Sequence, residues 1–164
     1  MADWFTVNVA DARWRTHDTF GAWCPFESPE APFPDFGINL HVLQPGQPNA
    51  LFHSEAAQED FLVLAGECVL LVDGEEQPLR AWDFIHCSAG TEHVFVGAGD
   101  GPCVILMVGA RPTEEKLFYP VSELARRYGA SVDRETADPD EAYAPFAPPP
   151  VDRRPDVWEQ LPWA

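Results

Sequence analysis

Between residues 37 and 110 this chain runs through eight short strand-like stretches, with no room between them for a helix. The stretches are Ile38–Leu43, Leu51–Ser54, Asp60–Leu64, Cys68–Val72, Gln77–Arg80, Asp83–Cys87, His93–Val96 and Cys103–Val108. Pro45-Gly46 closes the first, and Asp73-Gly74 after Cys68–Val72 is a strong hairpin signal. Glycines at 66, 90, 97, 99 and 101 punctuate the rest. Many short strands at this spacing, without intervening helices, predict an all-β domain built as an antiparallel sandwich or barrel.

The same region concentrates metal-ligand chemistry. His53 and Glu55 are two residues apart, so on an extended strand their side chains leave from one face. Glu59 opens the run that follows them, and His93 opens Val94-Phe95-Val96. Two imidazoles and two carboxylates converging from different strands would hold one divalent metal ion, with iron, zinc, manganese and nickel all suited to that donor set. Glu55 has three readings: a metal ligand, a catalytic base hydrogen-bonded beside the metal, or a solvated carboxylate at the mouth of a domain without metal. Two carboxylates buried side by side favour a cation, because burying them unpaired is costly.

The flanking segments differ in character. Residues 1–36 contain one expected strand, Phe5–Val9, then an aromatic and proline-rich arm through Trp14, Phe20, Trp23, Phe26 and Phe33, whose rings need a surface to pack on. Residues 111–164 carry one short helix after Pro120, with Ser122 or Pro120 at its start and Gly129 at its end, and then an acidic, Pro-rich tail with Trp158 and Trp163. The expected organisation is therefore an arm (1–36), a barrel (37–110) and a helix with tail (111–164).

Acidic residues outnumber basic ones by 27 to 10, a net charge of −17. A surface that negative repels phosphate backbones and anionic lipid, so no nucleic acid and no membrane is expected as partner. No apolar run approaches the ~20 residues of a membrane span, and the first residues lack a basic-then-apolar leader pattern. The cysteines at 24, 68, 87 and 103 are widely spaced, and three lie in or beside apolar runs. Buried, reduced and inert thiols in a cytoplasmic protein are the expectation.

The central region resembles the cupin superfamily. The first cupin motif runs Gly, five residues, His-x-His, three or four residues, Glu, six residues, Gly. Here Gly46 is followed by six residues, His53-x-Glu55, three residues, Glu59, six residues and Gly66. The second runs Gly-Asp, Pro-x-Gly, two residues, His, three residues, Asn. Here it reads Trp82-Asp83, Ser88-Ala89-Gly90, two residues, His93, three residues, Gly97. The resemblance implies an antiparallel jelly-roll barrel, a homodimer, and a metal ligand set of His53, Glu55, Glu59 and His93, with Glu55 where the second histidine usually stands.

Phe61, Val63, Phe84, His86 and Phe95 are the expected lining of a pocket around the metal. His41 is read as a strand residue with a hydrogen-bonding role, as is His86, and His17 as a surface residue. The function expected is a metal-binding cupin acting on a small organic molecule, by dioxygenase-like or by isomerase- or lyase-like chemistry. Two carboxylates on the metal weaken it as a Lewis acid, which tilts the reading towards oxygen chemistry. The alternatives are a non-enzymatic module binding a small ligand or metal, and a stress or storage scaffold without a specific ligand.

Overall fold

The computed structural model describes residues 4–164 apart from 113 and 115. In chain order the strands are β1 (Arg15–His17), β2 (Gly21–Pro25), β3 (Phe36–Leu43), β4 (Ser54–Glu55), β5 (Glu59–Ala65), β6 (Glu67–Val72), β7 (Glu75–Arg80), β8 (Phe84–Cys87), β9 (His93–Ala98), β10 (Cys103–Ala110), β11 (Leu117–Phe118) and β12 (Val151–Asp152). All pairings are antiparallel. One sheet has the order β12-β1-β2-β3-β10-β5-β8, a second β7-β6-β9, and β11 pairs with β4. The two larger sheets share a core of Leu43, Phe61, Val63, Leu70, Ile85, Phe95 and Ile105, which is the packing of an antiparallel jelly-roll.

Turn chemistry fixes the register where the sequence pointed to it. Asp73 (φ 52°) and Gly74 (φ 76°) form a two-residue turn that sets Val72 opposite Glu75. Gly66, at φ 72°, lets β5 pass into β6 against the backbone of Pro102 and Cys103. A Cβ at this position would overlap the Pro102 carbonyl oxygen. We expect Gly66→Ala to destabilise the domain by about 3 kcal/mol or more, read as a lowered urea midpoint at unchanged slope.

The flanks depart from expectation. Phe5–Val9 forms no strand. Instead Asn8 caps a single 3-10 turn, Val9–Asp11, by accepting a hydrogen bond from the Ala10 N–H. The arm adds β1 and β2 to the large sheet, with Trp23 opposite His41. Leu51–Ser54 is a strand only at its end. Phe52 donates to the Ala130 carbonyl, and His53 meets His93 in an isolated antiparallel bridge. The expected helix is one turn, α1 (Glu123–Arg126), capped by Ser122. A second turn, α2 (Pro139–Tyr143), forms in the acidic stretch with Asp138 as its cap.

The tail folds back on the large sheet. β12 pairs with β1, and Trp158 and Trp163 pack on Trp14 with ring centroids 5.8 and 5.6 Å away. This aromatic cap covers Leu40 and Val42 on the outer face of β3. Among the described residues no helix is long and apolar enough to cross a membrane.

Candidate metal centre and cavity

One ligand atom each from His53, Glu55 and Glu59 lies within 4.8 Å of the others. His93 adjoins this group: its Nε2 is 3.7 Å from a Glu59 oxygen, and its ring centroid is 5.5 Å from that of His53. The isolated bridge between residues 53 and 93 sets the two rings side by side, β4 carries Glu55, and β5 opens on Glu59.

Both rings are oriented by the backbone. His53 Nδ1 donates to the Leu51 carbonyl at 2.7 Å and His93 Nδ1 to the Thr91 carbonyl at 3.0 Å. Because a carbonyl oxygen only accepts, each Nδ1 carries the proton and each Nε2 keeps its lone pair for the centre. Tyr119 stacks on His53 at 5.8 Å and Phe61 meets His93 edge-on at 5.3 Å, which restricts both rings further.

The electrostatics are those of crowded donors. Burial, reinforced by the Glu55 charge, pushes the Glu59 carboxyl up to about 7 against the opposing pull of His53. Burial and the neighbouring His53 push His93 down to about 4. Burial disfavours the charged form of His53, yet Glu55 and Glu59 together hold its pKa above the ordinary value. The His53 ring, with Nε2 3.6 Å from Glu55 Oε1, outweighs burial at Glu55 and holds that carboxyl low. Two imidazoles that offer Nε2 to the centre and two partly buried carboxylates fit a divalent cation, whose charge would offset the burial and the Glu55 repulsion that raise Glu59.

The four groups lie on the wall of a cavity of about 750 Å³. Phe61 lines it; the other four residues expected in the pocket do not. Val63 and Phe95 are fully buried in the core between the sheets. Phe84, 65% exposed, and His86 face outward. The register explains the reversal. Glu59 and Phe61 face inward opposite Cys87 and Ile85, so the alternate pairs, Asp60 with His86 and Leu62 with Phe84, face out. His86 is held there by Asp60, with Nδ1 to carboxylate 2.7 Å, and its Nε2 lies 3.3 Å from the Ser88 hydroxyl.

Sequence reasoning missed the opposite wall. Asn39, His41 and Trp23 line the cavity from β3 and β2, and Gly37 and Gly109, paired across β3 and β10, leave open floor beside Glu59. The missed signal was the alternation Ile38-Asn39-Leu40-His41-Val42, whose polar members face the cavity while Leu40 and Val42 lie beneath the tryptophan cap. His41 donates Nε2–H to the Phe20 carbonyl at 2.8 Å, and burial pushes it down to about 4. Asn39 Oδ1 is buried without a hydrogen-bond partner among the described residues. His17, expected on the surface, is 9% exposed and lines the cavity. Its Nδ1 accepts from the Thr19 N–H and its Nε2 donates to the Phe146 carbonyl, which ties the tail across the cavity. The four cysteines are free and buried, and burial pushes the Cys24 and Cys87 thiols up to about 11.

The Cupin domain family profile matches residues 39–109. A sugar phosphate isomerase of the cupin superfamily from Silicibacter pomeroyi DSS-3 is similar at 27% identity over 70% of this chain and 80% of its own, with a TM-score of 0.60. The polyketide cyclase RemF from Streptomyces resistomycificus shares the fold at 16% identity over 68% of this chain and 83% of its own, with a TM-score of 0.58. The chain spans only 55% of a third structure, from Acidithiobacillus ferrooxidans, at a TM-score of 0.49. No curated protein sequence matches. The jelly-roll and the profile match agree: residues 39–109 form a region similar to the Cupin domain family, within a chain whose fold is like that of cupin structures.

Proposed function

We propose that this chain is a metal-dependent cupin enzyme that holds one divalent cation through His53, Glu55, Glu59 and His93 and acts on a small organic molecule in the adjoining cavity. The observation that carries the reading is the convergence of these donors on the wall of a roughly 750 Å³ cavity, a size suited to a small-molecule ligand. Iron(II), manganese, nickel and zinc suit the donor set. Once bound, the cation supplies Lewis-acid polarisation or, as iron, dioxygen activation.

The protein's own groups prepare that site. The Leu51 and Thr91 carbonyls hold the imidazoles in the tautomer that offers Nε2. Tyr119 and Phe61 shield their ring faces from water. Glu59 gives up its carboxyl proton as it becomes a donor. Below about pH 7 protons therefore compete, and affinity is expected to fall close to tenfold per pH unit, as chelator competition at pH 6 and 8 would measure.

The proximity of Glu55 to His53 and Glu59 supports its role as a donor, which leaves no nearby carboxylate free as base and favours oxygen chemistry. The isomerase at 27% identity favours a second reading, proton transfer with Glu55 as base. Metal analysis of protein purified without added metal decides between them together with two variants. About one cation per chain is expected, lost in His93→Ala and in Glu55→Ala. Full occupancy in Glu55→Ala would make Glu55 the base, and solvent deuterium incorporation rather than dioxygen uptake would then follow. A metal-free protein would overturn the reading and leave a non-enzymatic module. We further propose a cytoplasmic homodimer. The four buried free thiols support a reducing compartment. The dimer rests on the family alone, and light scattering at the mass of one chain would remove it.

A further inference from the structure

We propose that the ligand of this cavity is an uncharged, hydroxyl-bearing fused-ring molecule, gripped by aromatic residues that flank the cupin domain. This rests on the cavity being the ligand site and is independent of which metal, if any, occupies the donors. Five aromatic rings line the cavity, Phe20, Trp23, Phe61, Tyr143 and Phe146, and all but Phe61 lie outside residues 39–109. Aromatic faces of this kind take up planar apolar rings. The volume is several times the roughly 150 Å³ that encloses a single benzene ring, so a fused system has room beside the carboxylates.

The wall is preorganised. Phe20 packs on Phe146 and Tyr143 with centroids 4.9 and 5.3 Å apart. The Tyr143 hydroxyl accepts from the Leu51 N–H at 3.1 Å, and His17 holds the Phe146 carbonyl at 2.9 Å. Rings fixed in this way lose little freedom when a ligand arrives.

Charge sets the other half of the specificity. The described lining residues include one guanidinium, that of Arg111, and it is already bonded to the Glu27 carboxylate and the Phe33 carbonyl. The Nε2–H groups of His17 and His41 are likewise committed to backbone carbonyls. Against these stand the carboxylates of Glu55 and Glu59. A phosphate or carboxylate would enter without a free cationic side chain to meet it, whereas hydroxyl donors meet acceptors. The side chains of the metal-free cavity therefore select against sugar phosphates despite the isomerase likeness.

Calorimetric titration of 2-naphthol and 2-naphthyl phosphate compares one ring system with and without the charge. Both are titrated into protein as purified and into chelator-stripped protein, with metal content measured in parallel. 2-Naphthol is expected to bind both preparations. The phosphate should bind the chelator-stripped protein at least tenfold more weakly, because the carboxylates then stand without a cation. Trp23→Ala and Phe146→Ala should each weaken 2-naphthol about tenfold at unchanged metal content, and Phe146→Tyr should restore it. Equal or tighter binding of the phosphate to the stripped protein would overturn the proposal, as would 2-naphthol binding that ignores both variants. If 2-naphthol binds as expected to a protein that carries no metal, the metal reading fails and this one stands. If metal is present and 2-naphthol does not bind, the reverse holds.

Discussion

Glu59→Gln is expected to hold a divalent cation at least about a hundredfold more weakly than the parent protein, yet to be the more stable of the two when both are metal-free. Glutamine keeps the shape of the side chain and removes the charge. In the metal-free fold the Glu59 carboxyl titrates at about 7, raised by burial and by the Glu55 charge. A carboxyl raised in this way contributes stability that is fully present below its ordinary value of 4.5 and lost as the pH climbs through about 7. The loss is on the order of 3 kcal/mol if the whole shift is expressed. Buried His41 and His93 have the opposite slope, stability present above 6.5 and lost as the pH falls through about 4, so variant and parent are compared at each pH. Urea unfolding with chelator present should find the variant more stable by about 2–3 kcal/mol at pH 8 and nearly equal to the parent at pH 5. A variant less stable than the parent at pH 8 would show that Glu59 is not under the strain described.

The second large effect belongs to Trp14→Ala. Trp14 is 3% exposed, sits between Trp158 and Trp163, and donates its indole N–H to the Val9 carbonyl at 3.2 Å. Truncating a buried tryptophan costs about 3–5 kcal/mol. Here it also removes the surface on which the tail lies, so β12 should part from β1 and protease should reach residues 144–164. The proposed metal donors stand elsewhere: Glu55, Glu59 and His93 on β4, β5 and β9, and His53 immediately before β4. Stability and cavity ligand affinity are therefore expected to fall together while metal content persists. Loss of the metal along with the tail would contradict that separation.

The strands of the cupin domain were legible because local signals agreed: period-two runs, Asp73-Gly74, and glycines at the ends. β1 and β2 were not, since Arg15-Thr16-His17 and Gly21–Pro25 lack an apolar alternation and become strands by pairing with one another and with β3. The donor residues stood out by type and spacing, and the structure brings them close together. The rest of the lining did not stand out. Which face of β8 looks inward depends on its register with β5. The turn before it, with Trp82 at φ 77°, is a conformation that its residue type does not announce. Asn39 and His41 were hidden for a related reason: polar residues on a strand are read as facing water until something is known to cover the other side.

That cover is the tryptophan cap, and it divides labour within the molecule. The donors come from the central strands, whereas most of the aromatic wall comes from segments before and after them. On the proposed reading, substitutions in those segments would change the ligand preference while leaving the donor set in place. Among related proteins, the flanks rather than the shared motifs are where substrate differences should be sought.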